Sequence, residues 1–521
     1  MTSTVECQTK SRELGHQESL FLSLNQFASP IGVYASINIM KAKRAITLDQ
    51  VKAAFEEASR MNYLMRACVS TDGTGISLFT PINEERLMSD WTIIDEIELD
   101  REEDWVEVLP QVVERKIDFQ NGPLWYVKWI RIKPDVPDIG WEGSSSPDED
   151  RFRYILVFVS SHIMIDGKCG FHLIRNQIIP ILNGEQFNEP KAIHHIMPLI
   201  ETGKQQSQEK KPIYFAKSME QVVYNFDQNQ RLLSQRSVPF FLRAVTNAMI
   251  LKHRLGSGCT KLFGRGGGGG DGDRYDSSVD DITTEPIQNE FKAFTIDRNT
   301  TSRLIKICKS RNVSVHSVLM VLVQNALDQT RRKFHVPLAS NILLYPIDAR
   351  KFNAALSDPL RMPLGDYHKM GQQEMKFTSV DDEDSLWRVA GEAKRGVQEH
   401  NQPVQEKTLF DCLFHLLQKS NLSMETFNAL PPPCVFSNLG NSDAIIVQKN
   451  NNEDANVDLT SHFFTLQTGS GVFVSANTYQ GQMHLAASYG RMLAGEPGEF
   501  LAKTLRKNIE TVVQKYYIPY T

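Results

Sequence analysis

The sequence predicts a mixed α/β (α+β) protein built as two lobes, and three observations carry that expectation. Apolar runs of strand length, such as Tyr154-Ile155-Leu156-Val157-Phe158-Val159, are interspersed with capped, amphipathic helical segments. At 521 residues the chain exceeds what one hydrophobic core usually serves. A glycine-rich stretch, Gly264-Arg265-Gly266-Gly267-Gly268-Gly269-Gly270-Asp271-Gly272-Asp273, divides it, and a strand followed by a capped helix restarts beyond it.

The first half opens with Val33 to Ile39, which alternates like a strand. Thr47 offers an N-cap to a helix whose apolar face is Leu48, Val51, Ala54, Phe55 and Ala58. Gly122-Pro123 introduces a strand from Leu124 to Ile132. Pro134 to Asp150, with Ser144-Ser145-Ser146-Pro147, reads as a surface hairpin loop. The strand through Tyr154 follows, and Gly167 then leads into a helix that buries Phe171, Ile174 and Ile178. Gln205 to Lys211 is polar, and a helical region runs on to about Leu255. These features set an N-terminal lobe at 1–200, a helical and glycine-rich linker at 201–285 and a C-terminal lobe at 286–521.

In the second half Phe291 to Ile296 is a short strand. Thr300 or Thr301 is expected to cap a helix through Leu304, Ile307 and Cys308, and another helix runs from Val315 to about Leu327. A strand from Asn341 to Ile347 ends in Asp348-Ala349-Arg350. Val435 to Gly440 and a hairpin turning at Gln480-Gly481, between Gly471–Tyr479 and Gly481–Tyr489, complete the pattern.

Composition narrows the function classes. With 41% apolar and 23% charged residues, a net charge of −5 and no block of Lys or Arg, the chain resembles an ordinary globular protein and not a nucleic-acid binder. No window approaches the ~18 apolar residues of a membrane span, and Met1 to Cys7 lacks a signal-peptide core. The seven cysteines are scattered, with no metal-ligand or redox spacing, which implies free thiols and a cytoplasmic setting. The sequons at Asn299, Asn312 and Asn421 carry no weight in that compartment.

Chemistry concentrates at Ser161-His162-Ile163-Met164-Ile165-Asp166-Gly167, where an apolar strand ends in a turn. An imidazole with an ordinary pKa near ~6.5 can serve as a general base at neutral pH. Among the 13 histidines only His162 has an acidic residue four positions on. The rival reading of such a pair is a plain surface contact.

The run resembles the His-x-x-x-Asp-Gly signature of the chloramphenicol-acetyltransferase-like superfamily, which includes nonribosomal condensation domains, alcohol acetyltransferases, wax-ester synthases and phthiocerol dimycocerosyl transferases. Leu48 to Ala67, Gly122-Pro123-Leu124, Tyr345 to Arg350 and Phe436-Ser437-Asn438-Leu439-Gly440 are similar, in order, to further landmarks of that superfamily. Two departures stand out. Ser161 replaces the additional histidine of condensation domains, and the Asp-Phe-Gly-Trp-Gly motif of plant acyltransferases is absent.

The resemblance implies two sandwich subdomains in a V shape with a tunnel at their interface. It implies that His162 deprotonates an acceptor attacking a thioester, while Asp166, held by a bidentate pair with Arg350, and Gly167 support the loop. Gly167 is also expected to let a pantetheine arm pass close to the backbone. Ser437, Asn438 and Gly440 are expected at the substrate or as a latch between lobes.

The implied activity is acyl transfer from acyl-CoA to a hydroxyl acceptor, with no metal and no permanently bound cofactor, by a monomer. Leu439-Gly440-Asn441-Ser442 lacks the Asp-Ser-Leu core of a phosphopantetheine site, and no carrier domain follows. Two alternatives stay open: an amide-forming condensation enzyme using carrier-protein thioesters, and a non-catalytic binding scaffold. The glycine run formally fits Gly-x-Gly-x-x-Gly but lacks a leading strand and a following helix, so no nucleotide site is expected. His194-His195 lacks companion ligands for zinc. Val238 to Lys252 reads as a helix packed between the lobes, with peripheral membrane contact as its alternative.

Overall fold

The computed structural model describes residues 11–15, 18–19, 21–22, 32–73, 76–82, 93–133, 152–185, 289–336, 342–352, 364–401, 434–446, 455–467, 471–490 and 493–518. The expectations for 134–150, 194–195, 205–255 and 264–273 lie outside them.

The N-terminal half contributes β1 (Arg12–Glu13), β2 (Val33–Ala42), α1 (Leu48–Met61), β3 (Ala67–Thr71), β4 (Ser77–Pro81), β5 (Ile94–Leu99), α2 (Trp105–Val113), β6 (Trp125–Ile132), β7 (Phe152–Ser161) and α3 (Gly167–Leu173). A π-helical turn, Ile174–Ile178, carries α3 on into Ile179–Leu182. The C-terminal half contributes β8 (Glu290–Ile296), α4 (Arg298–Ser310), α5 (Val315–Phe334), β9 (Ile342–Asp348), β10 (His368–Glu374), α6 (Glu383–His400), β11 (Cys434–Asn441), β12 (Val457–Leu466), β13 (Val472–Tyr479), β14 (Gln482–Tyr489) and α7 (Glu496–Tyr516).

Among the described residues three sheets form, with strand orders β1-β4-β3, β12-β2-β7-β6-β5 and β10-β9-β11-β13-β14-β8. The central strand β7 is buried along Tyr154 to Ser161, which explains why its sequence is continuously apolar rather than alternating. It pairs with β2 from Val33↔Ser161 to Ala42↔Phe152 and with β6 from Trp125↔Ser160 to Ile132↔Arg153. A strand held on both sides gives the residue after Ser161 a fixed point of departure.

β12 comes from the C-terminal half yet forms the edge of this N-terminal sheet, pairing antiparallel with β2. Gly32 and Val33 exchange backbone hydrogen bonds with Gln467 at 2.9 Å each. Ser475 of β13 also donates its hydroxyl to the Phe464 carbonyl of β12. The two halves are therefore joined by sheet hydrogen bonds as well as by side-chain packing.

Local signals account for the helices. Thr47 and Gln50 form a capping box at α1, whose buried face includes Val51, Ala54, Phe55 and Ala58. The cap of α4 differs from the expectation of Thr300 or Thr301. Asp297 caps it, its carboxylate accepting from the Thr300 N–H at 3.0 Å, while the Thr301 hydroxyl donates to Ile296 O. A carboxylate at the N-cap also faces the positive end of the helix, and this favours the earlier start. Helix α5 continues past Leu327 to Phe334, carried by a polar stretch that apolar periodicity alone does not mark. The expected hairpin is present as β13 and β14, with positive φ at Gln480 (49°) and Gly481 (77°), as a two-residue turn of this hand requires.

Candidate active site

His162 follows β7 directly and starts the turn that leads into α3. Backbone bonds hold this turn: the His162 N–H donates to Gly32 O at 2.9 Å, and the Met164 N–H to Ser161 O at 3.1 Å. Ile163, Met164 and Ile165 are fully buried, so the turn is anchored in the core. Apolar residues between the two functional groups thus fix their separation in space.

Asp166 is the N-cap of α3. Its Oδ1 accepts from the Cys169 N–H at 3.0 Å, and its Oδ2 accepts from Arg350 Nη2 at 2.7 Å and from the Tyr367 N–H at 3.0 Å. The expected bidentate pair is replaced by a single contact, because the helix cap occupies the other carboxylate oxygen. Arg350 is only 2% exposed. Its Nη1 donates to Asp348 Oδ1 at 3.1 Å, and its guanidinium lies 4.8 Å from the centre of the Tyr367 ring. Lys168 reaches Asp348 Oδ2 at 2.7 Å. Burial opposes the charge on Arg350, but Asp166, Cys169 and Asp348 outweigh it and hold the guanidinium protonated well above its ordinary range. One arginine thereby locks the His162 turn onto the C-terminal half.

The His162 side chain is 10% exposed. Phe21 stacks on it with centroids 4.4 Å apart, and Tyr34 and His368 approach edge-on at 6.1 and 5.2 Å. Its Nδ1 is buried without a hydrogen-bond partner and lies 3.7 Å from Asp366 Oδ2, likewise buried and unbonded. The other oxygen of Asp366 is hydrogen-bonded to His368 Nδ1. Burial pushes the Asp366 carboxyl up, but His368 and His162 prevail and hold it well below the usual carboxylate range. Burial alone would lower the His368 imidazole, whereas Asp366 raises it. His162, Asp366 and His368 offer atoms within 4.8 Å of one another and form the one cluster among the described residues that could hold a metal.

These shifts have a stability consequence. Asp366 bound low and His368 bound high stabilise the fold fully between about pH 4 and 6.5, the ordinary values of the two groups. The contribution is lost as pH falls through the depressed carboxyl or rises through the raised imidazole. Melting temperature should therefore fall more between pH 6 and pH 9 in the wild type than in His368→Gln, and thermal melts across that range check it.

Comparison with solved structures comes down to the whole chain. The TRI3 trichothecene 15-O-acetyltransferase from Fusarium sporotrichioides superposes with a TM-score of 0.60 at 12% identity, covering 98% of this chain and 99% of that one. The condensation domain of the Monacolin K polyketide synthase MokA gives 0.55 at 10% identity, covering 98% of each chain. Polyketide synthase associated protein 5 from Mycobacterium tuberculosis gives 0.51 at 14% identity, covering 97% and 98%. This chain has the chloramphenicol-acetyltransferase-like fold. No protein-family model and no curated protein matches it.

Within the chloramphenicol-acetyltransferase-like fold, His162, Asp166 and Arg350 meet where the halves join. Gly167 belongs to the same junction for another reason than expected. A Cβ there would lie 2.9 Å from Leu439 Cδ2 and 3.5 Å from the Phe464 ring, so the space beside it is filled by protein, not by a path for a pantetheine arm. Leu439 sits in the Ser437-Asn438-Leu439-Gly440 segment at the end of β11. Ser437 is buried there, Gly440 takes φ +75°, and its N–H donates to Asn438 Oδ1 at 2.8 Å. The side chain of Asn438 shapes a turn that presses Leu439 against the start of α3.

Gly170 is the tightest point of α3, since a Cβ there would fall 2.3 Å from the Tyr34 hydroxyl. Tyr34 is 1% exposed and has no room to swing away. Gly170→Ala should cost about 1–3 kcal/mol by overpacking, read from urea denaturation.

Sequence reasoning missed Phe21, Asp366 and His368. A search for an acid four positions after a histidine passes over His368, whose carboxylate lies two positions before it. The period of an extended chain was the available signal, because residues two apart share a face. Which face turns toward His162 depends on the pairing of β10 with β9, where His368 opposes Asp348.

Proposed function

We propose that this protein is an acyltransferase that moves an acyl group from a thioester, acyl-CoA, to a hydroxyl acceptor, with His162 as the general base. The observation that carries the reading is a nearly enclosed imidazole, positioned by β7 and faced by both halves, on a turn locked by the Asp166–Arg350 pair. No permanently bound cofactor is needed. The base takes the acceptor proton as the oxygen attacks the thioester carbonyl, the new C–O bond forms, the C–S bond breaks, and the proton passes to the departing thiolate. Asp166 and Arg350 act through the turn rather than on the substrate. Ser437 and Asn438 serve as a latch between the halves.

Support for an oxygen acceptor comes from the likeness to an O-acetyltransferase at a TM-score of 0.60 and from Ser437-Asn438, which resembles the ester-forming branch. An amide-forming condensation enzyme using carrier-protein thioesters is the second reading, favoured by the likeness to condensation domains at 0.55 and 0.53. No helix among the described residues is long and apolar enough to cross a membrane.

The test is a thioester-consumption screen across CoA chain lengths with alcohol and amine acceptors. Saturable consumption with an alcohol and CoA alone, giving an ester, is expected. Turnover only with a carrier-bound thioester and an amine would replace this reading with the second. A non-catalytic scaffold of the same fold would show no turnover with either.

A further inference from the structure

The carboxylate of Asp366 lies between two imidazoles and stands outside the His-x-x-x-Asp-Gly motif. Toward His368 its Oδ1 is hydrogen-bonded, and toward His162 its Oδ2 lies 3.7 Å from Nδ1 with both atoms buried and unbonded. Two unpaired buried polar atoms facing each other are costly unless a proton is shared between them, and a modest closure brings them within bonding distance. Phe21 stacked on the ring restricts any other orientation.

Resting on His162 as the base, we infer that Asp366 is its positioning residue. It accepts from the Nδ1–H of His162, selects the tautomer whose Nε2 lone pair is free to take the acceptor proton, and balances the imidazolium formed during the attack. His368 holds the second carboxylate oxygen and keeps Asp366 turned toward His162. The low-lying carboxyl of Asp366 and the raised imidazole of His368 agree with an ionised carboxylate held by His368. Among the described residues, Asp166 and Arg350, which pair with each other, act on His368, and the Tyr34 ring of β2 meets His162 edge-on. A metal on the same atoms would have to displace the hydrogen bond that already joins Asp366 to His368.

In wild-type protein labelled with nitrogen-15 histidine, the Nε2 resonance of His162 is expected at an unprotonated ring nitrogen, and Asp366→Asn should turn it into a mixture of tautomers. His368→Gln, whose amide N–H can still donate to Asp366, should leave that tautomer in place. With acetyl-CoA and an alcohol acceptor taken from the screen, Asp366→Asn should lower kcat by up to about 10⁴-fold with KM nearly unchanged. A tautomer identical in wild type and Asp366→Asn overturns the inference, as does unaltered kcat in that variant while His162→Ala is inactive. Full activity of His162→Ala would instead sink the base reading beneath it. Loss of wild-type activity in EDTA, restored by zinc, would also overturn the inference and make the trio a metal site. The tautomer is read on the free protein, so it decides the matter without a known substrate.

Discussion

Arg350→Met should destabilise the protein by about 3–5 kcal/mol, the usual cost of stripping one partner from a buried ion pair. Arg350 is 2% exposed and is the cation that Asp166 contacts, at 2.7 Å. Removing it leaves the Asp166 charge buried with two backbone N–H groups, from Cys169 and Tyr367, as its remaining partners. Asp348 suffers less because Lys168 still reaches it at 2.7 Å. Arg350→Lys should recover little, since an ammonium cannot reach Asp166 and Asp348 with the same fork of donors. The double variant Asp166→Asn/Arg350→Met should be more stable than Arg350→Met alone, because the uncompensated charge is gone. Urea denaturation of the wild type and the three variants reads this directly. By contrast, the exposed Arg60–Glu56 pair on α1 should be worth less than about 1 kcal/mol. A loss for Arg350→Met no larger than that would show that the junction is not held by this arginine.

His162→Ala should lower kcat for thioester consumption about 10²–10⁴-fold, the range over which a positioned general base contributes. The KM for acyl-CoA should change little, because the ring acts on the acceptor's proton. Loss of stability should be smaller than in Arg350→Met, since Asp366, 3.7 Å from the ring, keeps its bond to His368, and the ring's other contacts are the stack on Phe21 and edge contacts to Tyr34 and His368. A variant that turns over at the wild-type rate would remove the base from this site altogether.

The fold was legible wherever the signal was local. Continuous apolarity marked β7, Thr47 marked the start of α1, and Gln480-Gly481 marked the hairpin of β13 and β14. The strand β12 escaped, because its place in the N-terminal sheet depends on pairing with β2, more than 400 residues earlier, as in Phe463↔Ile37. The site divides in the same way. His162 and Asp166 share one turn, and Arg350 follows β9, whose resemblance was readable, so the sequence could name all three. Asp366 and His368 gain their meaning only when β10 pairs with β9, and Phe21 only when its ring stacks on the imidazole. Geometry also corrected two roles. Asp166 spends one oxygen on capping α3, and Gly167 makes room for Leu439.

A crystal structure with a non-hydrolysable thioether analogue of acyl-CoA and an alcohol acceptor tests the central claim most directly. The account predicts the acceptor oxygen about 2.6–3.2 Å from His162 Nε2, poised toward the acyl carbon. An acceptor bound with its oxygen beyond reach of either His162 nitrogen, and with no bridging water, would contradict it.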